Sequence, residues 1–301
     1  MLHTKHRPQD FKEVIGNKHI VESLESLFDD GKSVAHTFLF HGPSGCGKTT
    51  FARIIASKLN CSEFDFVEIN AGNNRGIGTA REVLKTVEYK PMQGDTKVIL
   101  LDEVHQTTKD FQNALLKILE DTPRHAYFIL CTTDPRKLLT TIRNRCVTYE
   151  VEPLGRKNLT KLLNQIVKKE GGKLKDEVAD KLVKKAEGCP RQLLVLLQQV
   201  INMSEKNQLK AIKTFKTQEQ KVIDLCRAIL VKKKWGEIAK ILRGIDEDPE
   251  YVRRAILGYM NSVMLKSEDP HCMIAYLAFK DPFYDTGKAG LTFSCYKAIS
   301  Y

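Results

Sequence analysis

The sequence predicts an α/β fold in which helices cover both faces of a parallel five-stranded sheet, followed by a helical C-terminal part. Five short apolar runs alternate with segments whose apolar residues recur at helical spacing. The third run, residues 97–101, is apolar after its first residue, which is typical of a central strand buried on both faces. No comparable run follows Pro153, so the remainder is predicted to be helical. The other predicted strands are residues 37–40, 66–69, 127–130 and 147–151.

The composition indicates a soluble globular protein rather than a membrane protein. Of the 301 residues, 42% are hydrophobic and 28% are charged, and no apolar run approaches the length that spans a bilayer. The N-terminus lacks the apolar core of a signal peptide, so we expect a cytoplasmic protein without a membrane partner. The eight cysteines show no C-x-x-C spacing, which indicates a reducing compartment and no zinc site. The net charge of +11 favours a polyanionic partner, but only weakly.

A glycine-rich segment stands between the first predicted strand and a helical pattern. It fits the pattern G-x-x-x-x-G-K-[ST], whose glycines turn the backbone tightly and point several N–H groups into one concavity. The helix N-terminus adds positive potential, so the segment predicts a polyphosphate site. Lys48 is expected to bridge the β- and γ-phosphates, and the Thr49 hydroxyl to bind Mg²⁺. The predicted nucleotide-binding residues of this loop are Gly42, Pro43, Ser44, Gly45, Cys46, Gly47, Lys48, Thr49 and Thr50.

Two adjacent carboxylates, Asp102 and Glu103, end the third strand at the sheet edge where open α/β sheets bind ligands. Asp102 is predicted to hold the Mg²⁺ of the nucleotide, and Glu103 to orient and deprotonate the attacking water. An isolated Asp-Glu pair is usually a solvated strand end. Because this pair accompanies a phosphate-binding loop, the sequence favours nucleotide hydrolysis.

Six motifs resemble those of an ATPase subunit of a sliding-clamp loader, within the AAA+ class, and they follow one another along the chain in the order that this family has. The glycine-rich loop is one, and Asp102-Glu103-Val104-His105 resembles the Walker B form of the bacterial gamma/tau subunit. The chain is also similar to the replication factor C small subunit. The resemblance covers about residues 5–203 well and the remainder only by helical character. The other four motifs are His6-Arg7-Pro8 with Phe11-x-x-Val14-Ile15-Gly16, Cys131-Thr132-Thr133-Asp134-Pro135, Asn144-Arg145-Cys146 and Gly188-Cys189-Pro190-Arg191.

The resemblance implies an AAA+ fold with ATP and Mg²⁺ as cofactors, and it assigns roles near the nucleotide. Arg7, Val14 and Ile15 stand where the family has its adenine-contacting segment. Thr133 matches the sensor 1 position, where it would bond the γ-phosphate or the attacking water. Without the resemblance, Thr133 reads equally well as a strand-end threonine bonded to backbone.

Two arginines carry the remaining implied roles. Pro190 and Arg191 match the start of the sensor 2 helix, whose arginine reaches the γ-phosphate of its own site. Arg145 would point away from its own nucleotide and complete a neighbouring subunit's site as an arginine finger, so the isolated chain should be a poor ATPase. Taken alone, Arg191 and Arg145 read as surface arginines.

The resemblance also implies a domain plan and partners. An AAA+ nucleotide-binding domain would span residues 1–152, a helical lid 153–205 and an α-helical collar 206–301. The partners would be a sliding clamp, primer–template DNA and other loader subunits, in a homo- or hetero-oligomer that forms a pentameric spiral. DNA contacts would be made to the phosphate backbone and be strongly salt-dependent, although solvated surface charge is an equal alternative for each residue. The candidate DNA-binding residues are Arg75, Arg81 and Lys109.

The sequence departs from the bacterial gamma/tau pattern in three ways. Only Cys61 lies where gamma/tau carries a four-cysteine module, so no zinc is predicted. Asn144 replaces the usual serine before Arg145. No long tail follows the third domain, so we expect no tethering of polymerase and helicase. Such a subunit suits a bacteriophage, a plasmid or a divergent bacterium, and would act at the replication fork (in the host cytoplasm for a phage).

Two other functions stay open at this point. A branch-migration motor would need a C-terminal winged helix with strands after residue 210, and the sequence shows none. A non-hydrolysing structural loader subunit is disfavoured because the loop lysine and threonine and both carboxylates are present. Stimulation of ATP turnover by clamp and DNA together would indicate a loader, stimulation by DNA alone a motor, and absence of turnover a structural subunit.

Overall fold

The computed structural model describes residues 1–29, 34–71, 76–204, 207–208, 211–212, 218–267, 269–284 and 286–300. The chain divides into two compact units, Met1–Lys213 and Thr214–Tyr301. Each unit has its own hydrophobic core. The domain boundaries at residues 152 and 205 stay predictions.

Five parallel strands form one sheet in the first unit, which confirms the predicted fold class. Their order across the sheet is β2-β3-β4-β1-β5, so β1 lies between β4 and β5. The carboxyl ends of β1, β3 and β4 therefore meet at one edge, where α/β sheets bind ligands. The strands are β1 Thr37–His41, β2 Cys61–Asn70, β3 Thr96–Asp102, β4 Ala126–Thr132 and β5 Val147–Glu150.

Helices cover both faces of this sheet. Short 3₁₀ turns add to them, and the one at Phe11–Glu13 begins where the Asp10 side chain accepts a hydrogen bond from Lys12 N–H. The helices are α1 Leu2–Lys5, α2 Lys18–Asp29, α3 Lys48–Lys58, α4 Ile77–Glu88, α5 Lys109–Glu120 and α6 Thr140–Arg143.

Successive side chains of each strand point to opposite faces, and the core follows this alternation. Phe38 and Phe40 of β1 pack on the face that carries α3, whereas Leu39 packs on the face that carries α4 and α5. All three are completely buried. Phe40 stacks on Phe51 of α3 with ring centroids 5.6 Å apart, and this contact fixes α3 against β1. The loop between β1 and α3 is thus anchored at both ends.

The edge strand β2 begins five residues before the predicted run, because a buried carboxylate holds its first part in place. Asp65 is completely buried where the pairing register shifts. Burial alone would raise the pKa of Asp65, but four hydrogen bonds hold that pKa well below its usual range. The donors are Ser62 Oγ at 2.6 Å, Met92 N at 2.6 Å, Gln93 N at 3.0 Å and Gly94 N at 3.2 Å.

The first unit continues with three further helices, and the described residues after 200 contain helices but no strand. Prolines stand in the first turn of three of the helices after the sheet, where the missing N–H costs nothing. No helix in the described parts of the chain is long and apolar enough to cross a membrane. The first unit ends with α7 Arg156–Lys169, α8 Asp176–Ala186 and α9 Pro190–Val200; the second has α10 Gln218–Leu230, α11 Trp235–Arg243, α12 Pro249–Met264, α13 Pro270–Ala278 and α14 Gly287–Ser300.

Candidate nucleotide site

The glycine-rich loop between β1 and α3 adopts a backbone that favours glycine. Gly42, Gly45 and Gly47 have φ angles of +138°, +74° and +113°. A Cβ at Gly42 would lie 2.1 Å from the carbonyl oxygen of Val151, so the adjoining backbone leaves no room for a side chain. The N-terminus of α3 adds positive potential beside the loop. The loop therefore has the backbone form that binds phosphate.

Lys48 and Thr49 open α3 at the base of this loop. Lys48 is 6% exposed, and its Nζ donates to the carbonyl oxygens of Gly42 at 2.7 Å and Pro43 at 3.0 Å. Thr49 Oγ1 donates to Asp102 Oδ2 at 3.0 Å. A hydroxyl and a carboxylate are hard oxygen ligands, so this pair fits Mg²⁺.

Glu103 leaves the end of β3 with a left-handed backbone, at φ +54°. Its N–H donates to Asp102 Oδ1 at 2.9 Å. Burial and the adjacent Asp102 carboxylate raise the pKa of the Glu103 carboxyl. The turn separates the two carboxylates, so that Asp102 bonds Thr49 on α3 while Glu103 Oε2 lies 3.4 Å from Thr133 Oγ1 after β4.

His105 contacts the same carboxylate oxygen of Glu103 as Thr133 does, a contact that sequence reasoning missed. Its Nδ1 lies 3.3 Å from Glu103 Oε2 and 3.0 Å from Thr132 Oγ1, and its Nε2 lies 3.5 Å from Thr133 Oγ1. The ring therefore bridges the ends of β3 and β4. A histidine two residues after the carboxylate pair was the available sequence signal.

These residues border a pocket that also takes walls from the N-terminal segment and from α9. Of the predicted residues, Arg7, Val14 and Ile15 line it from the N-terminus, and Pro190 and Arg191 line it from α9. The loop residues 44–50 and both carboxylates complete it. Gly42, Pro43, Thr133 and Arg145 are not among its lining residues. His6 and Pro8, which belong to the N-terminal motif but were given no role, also line the pocket. The lining residues that sequence reasoning did not single out are His3, Glu13, Asn17, Phe51, Leu154, Leu162 and Leu194.

The cationic lining suits a polyanion. Arg7 lies close to other positive charges. Its burial and the nearby Arg53 guanidinium lower the pKa of Arg7. Burial and the Arg191 guanidinium lower the pKa of His3. Arg191 N–H donates to the Gly45 carbonyl at 3.4 Å, which brings the start of α9 onto the loop.

The N-terminal segment is attached to the helices that follow the sheet. Glu170 Oε1, after α7, lies 2.7 Å from Lys5 Nζ and 2.5 Å from His6 Nε2. Leu2 N donates to Gln198 Oε1 of α9 at 2.9 Å. One wall of the pocket is therefore coupled to α7 and α9 within the first unit.

Arg145 lies between α6 and β5, outside the pocket lining. Its Nη1 donates to the Thr141 carbonyl at 2.8 Å, and its Nη2 bonds the Glu120 carboxylate at the end of α5. The side chain is 31% exposed. It is therefore held in a fixed direction while part of it remains accessible to solvent.

Of the predicted DNA-binding residues, Arg81 on α4 and Lys109 at the start of α5 are exposed. Arg75 lies outside the described residues. No group of three or more metal-ligating side chains occurs among the residues that the structure describes, and the absence of zinc stays a prediction. Cys61 Sγ instead donates to the Ser62 carbonyl at 3.5 Å.

Comparison with known proteins places these features in a family. A family model described as DNA polymerase III, delta subunit, matches residues 62–155. The DNA polymerase III subunit gamma of Buchnera aphidicola (from Schizaphis graminum) is 36% identical over 228 residues, which are 69% of this chain and 62% of that protein. The chain belongs to the AAA+ clamp-loader family. The subunit tau of Escherichia coli is 34% identical over 222 residues, 67% of this chain but 34% of tau, so the chain spans only part of its relatives' length.

Solved structures show the AAA+ fold independently. The RuvB Holliday junction branch migration motor of Thermotoga maritima superposes with a TM-score of 0.59 over 80% of this chain and 86% of that one. A point mutant of the same RuvB gives a TM-score of 0.61 with the same coverage. The sequence identities are 21% and 20%, so these similarities are evidence for the fold and not for a shared function.

Proposed function

We propose that this clamp-loader family member is an ATPase subunit that loads a ring-shaped sliding clamp onto primer–template DNA. The observation that carries the proposal is the pairing of Thr49 with Asp102 beside Glu103, directly below a phosphate-binding loop. ATP would bind with its phosphates on the loop, with Lys48 and Arg191 as counter-charges. The adenine would lie against the N-terminal wall, near Val14 and Ile15.

Each residue of the site has a distinct task in hydrolysis. Mg²⁺, held by Thr49 and Asp102, would neutralise charge on the phosphates. Glu103 accepts the proton of the attacking water, and its raised pKa brings it closer to the working pH. Thr133 orients the water or the γ-phosphate from the end of β4. His105 positions the Glu103 carboxylate through its contact with Oε2.

Hydrolysis requires a second subunit in this proposal. Arg145 lies outside the pocket of its own chain and bonds Glu120. It therefore could not offset the negative charge of a nucleotide in that pocket without breaking its contact with Glu120. On a neighbouring subunit it supplies the missing cation, an effect of roughly 10³–10⁵ in rate in other nucleotide hydrolases. ATP would therefore favour the assembled spiral, and DNA binding would align Glu103, Thr133 and a neighbour's Arg145.

The proposed loader function also implies contacts with DNA and with the other subunits of the oligomer. The exposed Arg81 and Lys109 would contact the DNA phosphate backbone inside the oligomer, without reading base sequence. The helices of the second unit would form the collar that fixes the oligomer. The location at the replication fork in the cytoplasm belongs to this proposal as well.

The test is ATP turnover by the full chain with its sister subunits, measured alone, with primed DNA, and with primed DNA plus clamp. We expect little turnover alone and the highest rate with both additions. A rate raised by DNA and insensitive to the clamp would indicate a branch-migration motor instead. Absence of turnover in every mixture would indicate a structural loader subunit.

A further inference from the structure

Two cysteine side chains meet at one carbonyl oxygen of the glycine-rich loop. Cys46 Sγ lies 3.8 Å from Ser44 O, and Cys189 Sγ lies 3.6 Å from the same atom. The separation of the two sulfurs therefore cannot exceed the sum of these distances. Cys46 belongs to the loop, and Cys189 directly precedes α9, so the pair joins two segments that border the nucleotide pocket.

The Cys189 sulfur packs directly on the loop backbone. A Cβ added at Gly45 would lie 2.6 Å from Cys189 Sγ and 3.1 Å from Arg191 Cβ. The Cys189 sulfur also accepts a hydrogen bond from Gln192 N–H at 3.4 Å, which fixes it at the start of the helix. Both thiols are free. The contact therefore sets the distance between the loop and the helix that carries Arg191.

We propose that Cys46 and Cys189 form a reversible disulfide when the protein encounters a hydroperoxide, and that this bond fastens α9 to the loop and closes the nucleotide site. The cross-link itself does not depend on the proposed ATPase function, whereas its effect on ATP does. A cross-linked loop could no longer widen around phosphates, and Arg191 could no longer move with α9.

The chemistry assigns different roles to the two thiols. Cys189 is partly exposed, so its thiolate attacks one peroxide oxygen, breaks the O–O bond and becomes a sulfenic acid while hydroxide or alkoxide leaves. Burial and the neighbouring Cys189 raise the pKa of the Cys46 thiol to about 11, which suits a resolving thiol rather than the first to react.

The second step completes the disulfide. Cys46 sulfur attacks the Cys189 sulfur, the S–S bond forms, the S–O bond breaks, and the Cys46 proton leaves with the hydroxyl group as water. Overall the two thiols lose two protons and two electrons, and the peroxide O–O bond is replaced by two new O–H bonds. A low-molecular-weight or protein dithiol reverses the reaction.

The experiment treats the reduced full-length protein with graded hydrogen peroxide, then maps peptides without reduction and measures ATP affinity before and after dithiothreitol. Wild type should give a Cys46–Cys189 peptide and at least a tenfold loss of ATP affinity, which dithiothreitol restores. Cys189→Ser should give no such peptide and should keep the affinity of its own untreated form. Cys61→Ser is the matched control, since Cys61 is also partly exposed but lies in β2, and it should behave as wild type.

Three results would overturn the proposal. One is oxidation of Cys189 to sulfenic or sulfinic acid without the cross-linked peptide. Another is unchanged ATP affinity in fully cross-linked protein. The third is a loss of ATP affinity in peroxide-treated Cys189→Ser that equals the loss in wild type. A reduced wild-type protein that binds no ATP would contradict the proposed function instead, while the peptide map would still decide the cross-link.

Discussion

Thr49 Oγ1 donates a 3.0 Å hydrogen bond to Asp102 Oδ2 and so joins the first turn of α3 to the end of β3. Both side chains reach this contact because the sheet places the ends of β1 and β3 at one edge. The same Asp102 carboxylate accepts the Glu103 N–H through its other oxygen. One carboxylate thus positions the candidate metal ligand and the candidate base together.

Replacement Asp102→Asn should weaken ATP binding only when Mg²⁺ is present. The amide keeps the shape of the side chain but removes the negative charge that a hard divalent cation needs. We expect at least a tenfold loss of affinity for ATP with Mg²⁺ and little change with ATP in EDTA, by isothermal titration calorimetry. An equal loss in both conditions would show that Asp102 serves the fold rather than the metal.

Replacement Glu103→Gln should separate binding from hydrolysis. Glutamine can still accept from Thr133 but cannot take a proton, so ATP affinity should hold while turnover falls by about 10²–10⁴. Single-turnover hydrolysis in the assembled complex measures this. Retained turnover would remove Glu103 from the proposed mechanism.

The wild-type pH profile offers an independent check on Glu103. Hydrolysis needs the carboxylate form, and burial and Asp102 raise the pKa of this group. The acid limb of the rate should therefore rise through a pKa above that of an ordinary glutamic acid, about 4.3. A Glu103→Gln protein should lack this limb in its residual rate.

Replacement His105→Gln should lower kcat more than it raises KM, because His105 contacts Glu103 and Thr132 and does not line the pocket. We expect about a tenfold loss of kcat, with ATP affinity unchanged. His125→Gln is a suitable control, since His125 Nε2 instead contacts the Val87 carbonyl at the opposite end of β4. Equal effects of the two substitutions would point to general destabilisation.

The sequence was most informative where a backbone form admits few residue types. The glycine spacing predicted the loop, and Gly42 shows why, since Val151 excludes a Cβ. The buried strands β1, β3 and β4 were predicted from their unbroken apolar runs. The start of β2 was missed because this edge strand is half exposed and is held by the Asp65 carboxylate rather than by apolar side chains.

The side-chain contacts of the site were less predictable. The position of His105 in sequence was plain, yet its contact with Glu103 depends on the left-handed turn at Glu103. The shared contact of Cys46 and Cys189 with Ser44 depends on how α9 packs on the loop, which no local pattern encodes. The cysteine contact is a product of packing between segments distant in sequence, whereas the histidine contact combines a local backbone turn with the neighbouring end of β4.

Replacement Asp65→Asn should destabilise the fold without touching the pocket. The amide nitrogen would face N–H donors, and leaving a buried donor unsatisfied costs about 1–3 kcal/mol. Urea unfolding measures the difference. Because the folded-state pKa of Asp65 is lowered, its contribution is fully present above the unfolded-state value of about 3.9 and is lost as pH falls through the folded value. The difference between wild type and variant should therefore be constant near neutral pH and shrink in strong acid.

The most direct test of the account is complementation between two defective subunits. The Glu103→Gln subunit lacks the base but keeps Arg145. The Arg145→Ala subunit keeps the base but lacks the guanidinium that would act in the site of a neighbouring subunit. Each variant alone, in the assembled complex with clamp and primed DNA, should show little ATP turnover. A mixture of the two should recover a substantial part of the wild-type rate, because mixed interfaces join an intact Glu103 to an intact Arg145. Full turnover by Arg145→Ala alone would contradict the claim that hydrolysis depends on a neighbouring subunit.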